Sequence, residues 1–128
     1  DQSAPKILGH FLLTRPRDIL YRLVKSPILW ERRISIIATL AFIREGDFKD
    51  TLALAEQLLC DKHDLMHKAV GWMLREVGKK DKVGLEAFLK KHSSVMPRTA
   101  LRYAIERFSK AERELWMRKY SCNPNEKQ

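Results

Sequence analysis

The chain has 128 residues, 45% of them hydrophobic, and 25 Lys and Arg against 16 Asp and Glu give a net charge of +9. That length and apolar content build one compact domain with a real core, with no need of metal or disulfide staples. The charge suits a polyanionic partner, although on charge alone a merely basic soluble protein fits about equally well, and no apolar stretch reaches membrane-spanning length.

The segments read as helix after helix. Ser3 can cap a first helix, with Pro5 in the opening turn where a missing N–H costs nothing, and the helix ends before Pro16. A second spans 17–25 and is stopped by Ser26-Pro27. The third runs over 29–45 with Gly46 as its C-cap; its stretch 34–43 is apolar nearly all round, which predicts burial between neighbours on both sides. Asp47 caps a fourth, through Leu52, Ala55 and Leu58-Leu59. The fifth covers 64–77, with Gly78 as its C-cap and Lys79-Lys80 at the negative end of its dipole. A short sixth spans 85–91, and Pro97 opens a seventh that runs to about residue 108. Ser109-Lys110-Ala111-Glu112 has the capping-box pattern and opens an eighth through Trp116.

No β-hairpin pattern occurs. Eight helices on short loops, with a hairpin-length period, predict an all-α fold: a HEAT-like α-solenoid of antiparallel helix pairs over residues 1–120. Residues 121–128 form a polar tail expected to fray. There is no initiator methionine and no signal peptide, and the first residues run straight into a helix. The expectation is the C-terminal part of a longer protein. Cys60 lies in the apolar run Leu58-Leu59-Cys60 and reads as core, whereas Cys122 falls in the tail. Two such cysteines make no disulfide framework, and a reduced, cytoplasmic setting is expected.

Four of the helices carry a cation at one register: Lys6, Arg33, Lys68 and Arg98, roughly 30 residues apart, one helical hairpin each. One turn further on, the same face holds His10, Ile37, Trp72 and Arg102. A ladder of cations repeated once per stacked hairpin can follow a phosphate backbone, although helical repeats also place charges on ordinary solvated faces. Trp30 and Trp116 sit where burial explains them. Trp72 is flanked by Lys68 and Arg75, and Gly71 beside it leaves room for close approach. It is either a packed core residue or an indole free to stack on a cation or a deoxyribose.

His63 and His67 have the spacing of a metal clamp, but the intervening Asp64-Leu65-Met66 lacks a glutamate and no third ligand is evident. No nucleophile motif or Gly-rich phosphate loop occurs either. A protein with no metal and no cofactor is expected.

At Lys68-Ala69-Val70-Gly71-Trp72-Met73-Leu74-Arg75-Glu76 the chain closely resembles the signature helix of the AlkD-type DNA alkylation-repair glycosylases. Trp30-Glu31-Arg32-Arg33 is similar to that family's Trp-x-x-Arg helix. Asp1, followed by Ala4-Pro5 and Leu8-Gly9, looks like the end of its Trp-Asp-x-x-Asp motif. Met96-Pro97-Arg98 and Tyr103-Ala104-Ile105 resemble its final repeats. The resemblance covers essentially the whole chain in order, but the motif's tryptophan is absent.

The resemblance implies a HEAT-like solenoid that excises cationic alkylpurines, such as 3-methyladenine and 7-methylguanine, by hydrolysis of the N-glycosidic bond. It implies catalytic roles for Asp1, Arg33 and Trp72. Lys6, Arg33, Lys68, Arg75, Arg98 and Arg102 are the expected DNA-binding residues. The expected partner is double-stranded DNA containing alkylated bases, with no membrane and no obligate protein partner, the chain acting as a monomer. Two other functions fit the residues. One is a non-catalytic HEAT module that binds duplex or branched DNA. The other is a protein-binding solenoid, against which the recurring cations count.

Overall fold

The computed structural model describes residues 3–121. Among these residues there are nine α-helices, one 3-10 turn and no strand: α1 (Ser3–Phe11), a 3-10 turn (Leu12–Thr14), α2 (Asp18–Leu23), α3 (Leu29–Ile37), α4 (Leu40–Arg44), α5 (Lys49–Leu58), α6 (Asp64–Lys80), α7 (Lys82–His92), α8 (Arg98–Ala104) and α9 (Lys110–Ser121). The fold is all-α, as expected. Asp1 and most of the expected tail lie outside the described residues.

Local chemistry accounts for where the helices stop. Arg15, the residue before Pro16, is extended (φ −130°, ψ 162°), because the proline ring crowds a helical predecessor. Gly46 takes φ +81°. Its N–H donates to the Ile43 carbonyl (2.9 Å) and the Asp47 N–H to the Phe42 carbonyl (2.9 Å), a Schellman closure of α4. The capping box of α9 also forms. Glu112 N–H donates to Ser109 Oγ (3.2 Å), and Ser109 N–H donates to the Glu112 carboxylate (3.1 Å).

Four boundaries differ from the sequence reading. The helix expected over 29–45 breaks at Ala38-Thr39 into α3 and α4. There the backbone tightens to i→i−3 bonds, Thr39 N–H to Ile36 O and Phe42 N–H to Thr39 O, while the Thr39 hydroxyl donates to Ile36 O (2.6 Å). A threonine hydroxyl competing for a helix carbonyl bends the chain. Helix α6 runs on to Lys80, so Gly78 is no C-cap; it is where Leu85 of α7 packs. Asp81 separates the two helices. Its N–H donates to Val77 O (2.8 Å) and its carboxylate accepts from Gly84 N–H (3.0 Å), so α7 starts at Lys82. Helix α8, in turn, ends at Ala104.

The helices contact one another in two rows. Helices α1, α3, α6 and α8 touch in that order; α2 lies on α3, α5 on α3 and α6, α7 on α6, and α9 on α8. Between the rows lie fully buried Leu20, Ile36, Phe42, Leu54, Met66, Met73, Leu74, Leu85, Leu89 and Leu101. Trp116 is buried over the last of these helices, as expected. Gly9 lets α1 rest directly on the Ala38 carbonyl at the α3–α4 break. Polar contacts link the second row. Tyr21 Oη donates to Asp50 (2.6 Å), His92 Nε2 meets Glu56 (3.0 Å), and Lys82 Nζ meets Glu112 (2.8 Å). Arg17 pairs with Asp47 (2.7 Å) and Asp50 (2.6 Å) while lying 3.6 Å above the Phe42 ring. Cys60, expected in the core, is exposed: α5 has ended at Leu58, and the chain turns outward there.

Candidate nucleic-acid interface

Each helix of the first row contributes to one cationic surface. Lys6 comes from α1, Trp30 and Arg33 from α3, Arg44 from α4, Lys68, Trp72 and Arg75 from α6, and Tyr103 from α8. A concavity of about 620 Å³ is lined by Ser3, Lys6, Trp30, Arg33, Arg44 and Trp72 above a floor of Ile34, Ile37, Ala38, Leu40 and Ala41. A second, of about 240 Å³, is lined by Arg33, Lys68, Ala69, Trp72, Arg75 and Tyr103. Arg33 and Trp72 line both. No Asp or Glu lines either one among the described residues.

Some cations are committed to carboxylates and others are not. Arg17, Lys82 and His92 are bound to carboxylates in the contacts of the second row. Arg32, beside Arg33 but turned away from the concavities, pairs with Asp61 (2.7 Å). Burial pushes the Asp61 carboxyl up, but the hydrogen bond from Arg32, the His63 N–H and the nearby positive charge together hold it below the ordinary carboxylate value. By contrast, Arg33 has only a long contact from Nη1 to the Leu65 carbonyl (3.5 Å). Lys68 reaches Asp64 at 3.6 Å, a pair that solvent screens because the Asp64 side chain is 61% exposed. Arg75 is more committed, held by Glu106 and close to Glu76. Lys6, Arg33 and Lys68 are therefore the cations best placed to exchange water for an external anion.

Of the residues expected to bind DNA, the structure brings Lys6, Arg33, Lys68 and Arg75 together around the two concavities. Arg98 and Arg102 are exposed on α8 and line neither; it is Tyr103, one residue on, that faces the smaller concavity. Asp1 lies outside the described residues, and Ser3 lines the larger concavity. Trp72 joins both readings open to it, half-buried against the core and lining both concavities. The room beside Gly71 is taken by the protein itself: a Cβ there would run into Ala100 and Tyr103 of α8.

Trp30, expected in the core, is 41% exposed and lines the larger concavity. Its spacing three residues before Arg33 puts both on one helix face, a signal that ranks above its apolar character. Arg44 and Tyr103 also belong to the surface. Arg44 lies about three helical turns beyond Arg33, so helical spacing was the signal that could find it. The two histidines serve α6 itself. His63 Nδ1 accepts from Leu65 N–H (3.2 Å), and His67 Nε2 lies 2.6 Å from the Asp61 carbonyl oxygen. Among the described residues no group of three or more His, Cys, Asp or Glu side chains is placed to hold a metal.

No curated protein and no solved structure matches the chain. The profile of the DNA alkylation repair enzymes matches residues 1–108, which span every helix that lines the concavities. With most of its length covered, the chain belongs to the DNA alkylation repair enzyme family.

Proposed function

We propose that the protein is a HEAT-like solenoid that excises cationic alkylpurines, such as 3-methyladenine and 7-methylguanine, from duplex DNA by hydrolysing the N-glycosidic bond. The observation that carries the proposal is the pair Arg33 and Trp72, shared by two cation-rich concavities in which no described lining residue is acidic.

Alkylation at purine N3 or N7 puts a positive charge on the base and weakens its bond to the sugar. When that bond breaks, its electron pair neutralises the base, so no acid is needed at the leaving group. The sugar becomes oxocarbenium-like, and water adds at C1′ with loss of a proton. A carboxylate stabilises that charge and orients the water; Asp1 is the candidate by family resemblance. Trp72 presents a π-face to the cationic sugar. Arg33 is unsuited to a cation and suited to the flanking phosphate, which a guanidinium holds bidentately.

Single-turnover release of 7-methylguanine from duplex DNA, with protein saturating, tests the proposal. Asp1→Asn should lose about 3 kcal/mol of barrier stabilisation with duplex affinity retained. Trp72→Ala should lose about 1–2 kcal/mol. Arg33→Ala should damage both affinity and rate. An Asp1→Asn protein that releases the base at the unsubstituted rate removes the carboxylate from the mechanism. No release by any form, with duplex affinity intact, makes a non-catalytic DNA-binding module the better account.

A further inference from the structure

Arg75 lines the smaller concavity beside Arg33 and Lys68, yet its guanidinium is already engaged. Nη1 donates to the carboxylate of Glu106, two residues past the end of α8. Nε is buried without a hydrogen bond and stands 3.9 Å from Glu76, whose carboxylate meets Lys79 at 3.1 Å. A guanidinium holds a phosphate most firmly through two parallel N–H groups. One such pair, Nε with Nη2, is closed because Nε is buried. The other, Nη1 with Nη2, is blocked at Nη1 by Glu106. A two-pronged grip on a phosphate therefore requires Glu106 to leave.

Glu106 is free to do so. Its side chain is 60% exposed against 22% for Arg75, and it lines neither concavity. A carboxylate so open to water gives up its ion pair at small cost, while the largely covered arginine stays in place.

We propose that Glu106 stands in for a DNA phosphate: it occupies Arg75 in the free protein and yields it to the backbone when a duplex binds. This assignment rests on the reading of the concavities as a duplex-binding surface. Glu106 is then a competitor built into the fold, and it acts on affinity through Arg75 alone.

The test measures duplex affinity of the full chain across a series of salt concentrations. Glu106→Gln should bind about two- to fivefold more tightly and steepen the salt slope by up to about one. Glu106→Asp keeps the charge but shortens the reach, so it should recover part of that gain. In an Arg75→Ala background, with folding checked by urea unfolding, Glu106→Gln should change nothing. Glu114→Gln makes the same change of charge on α9, at an exposed residue with no ion pair among the described residues, and should give a smaller gain that is indifferent to Arg75. Unchanged or weaker binding by Glu106→Gln would overturn the assignment, as would a gain that survives Arg75→Ala or is matched by Glu114→Gln. Each of those results leaves the duplex-binding reading in place. Failure of the unsubstituted chain to bind duplex would overturn both.

Discussion

Gly71 and Trp72 are adjacent on α6 and have opposite requirements. Trp72 lines both concavities, and Gly71 lets the α8 backbone come close enough for Tyr103 to complete the smaller one. Gly71→Ala should therefore destabilise the fold by about 1–3 kcal/mol through overpacking against the Ala100 carbonyl, despite a gain in helix propensity of up to about 1 kcal/mol. Urea unfolding measures the first effect. Duplex affinity, which should also fall as α8 is displaced, measures the second. Unchanged stability would mean that the two helices do not meet at this glycine. The character of single residues was only partly legible. Trp116 is buried as expected; Trp30 and Cys60 are not, because an apolar neighbourhood says nothing of which side a helix presents or where it stops.

Elements were more legible where they end on a backbone requirement than where they end on competition. The positive φ at Gly46 and the Ser109–Glu112 box could be read directly. The α3–α4 break could not, because Thr39 hides in an apolar run and bends the helix only once its hydroxyl takes the Ile36 carbonyl. Links between elements depend on ion pairs whose sign in pH is fixed. Hydrogen bonding from Arg17, opposed by burial, lowers the Asp47 carboxyl; at Asp61, Arg32 and the His63 N–H outweigh burial. For both, the stabilising contribution is fully present above the ordinary value of 3.8 and is lost as pH falls through the depressed values in the folded protein. Arg32→Leu should cost about 2–3 kcal/mol near neutrality, because it strands a largely buried carboxylate. It should also flatten the dependence of stability on pH below 3.8. Denaturant midpoints measured across the acid range check both; a variant that keeps the steep acid loss would assign that loss to other carboxylates.

At the scale of the whole molecule, the cations spaced roughly 30 residues apart in the sequence sit on helices that touch one another. Helices α1, α3, α6 and α8 are consecutive neighbours, and the cations of the first three meet around the concavities. The ladder was legible because helical periodicity and repeat length are both properties of sequence. Its last step was not, since Arg98 and Arg102 line neither concavity. Cations in the second-row contacts are neutralised by carboxylates, whereas Lys6, Arg33 and Arg44 are left without an ion pair among the described residues. The direct measurement is duplex affinity as a function of salt. If Lys6, Arg33, Arg44 and Lys68 each neutralise a phosphate, log affinity should fall with log salt at a slope of about −3 to −4, and Lys68→Ala should reduce that slope by about one for every sequence alike. A slope near zero, or one that Lys68→Ala leaves unchanged, would contradict the account that this surface is built to hold a nucleic-acid backbone.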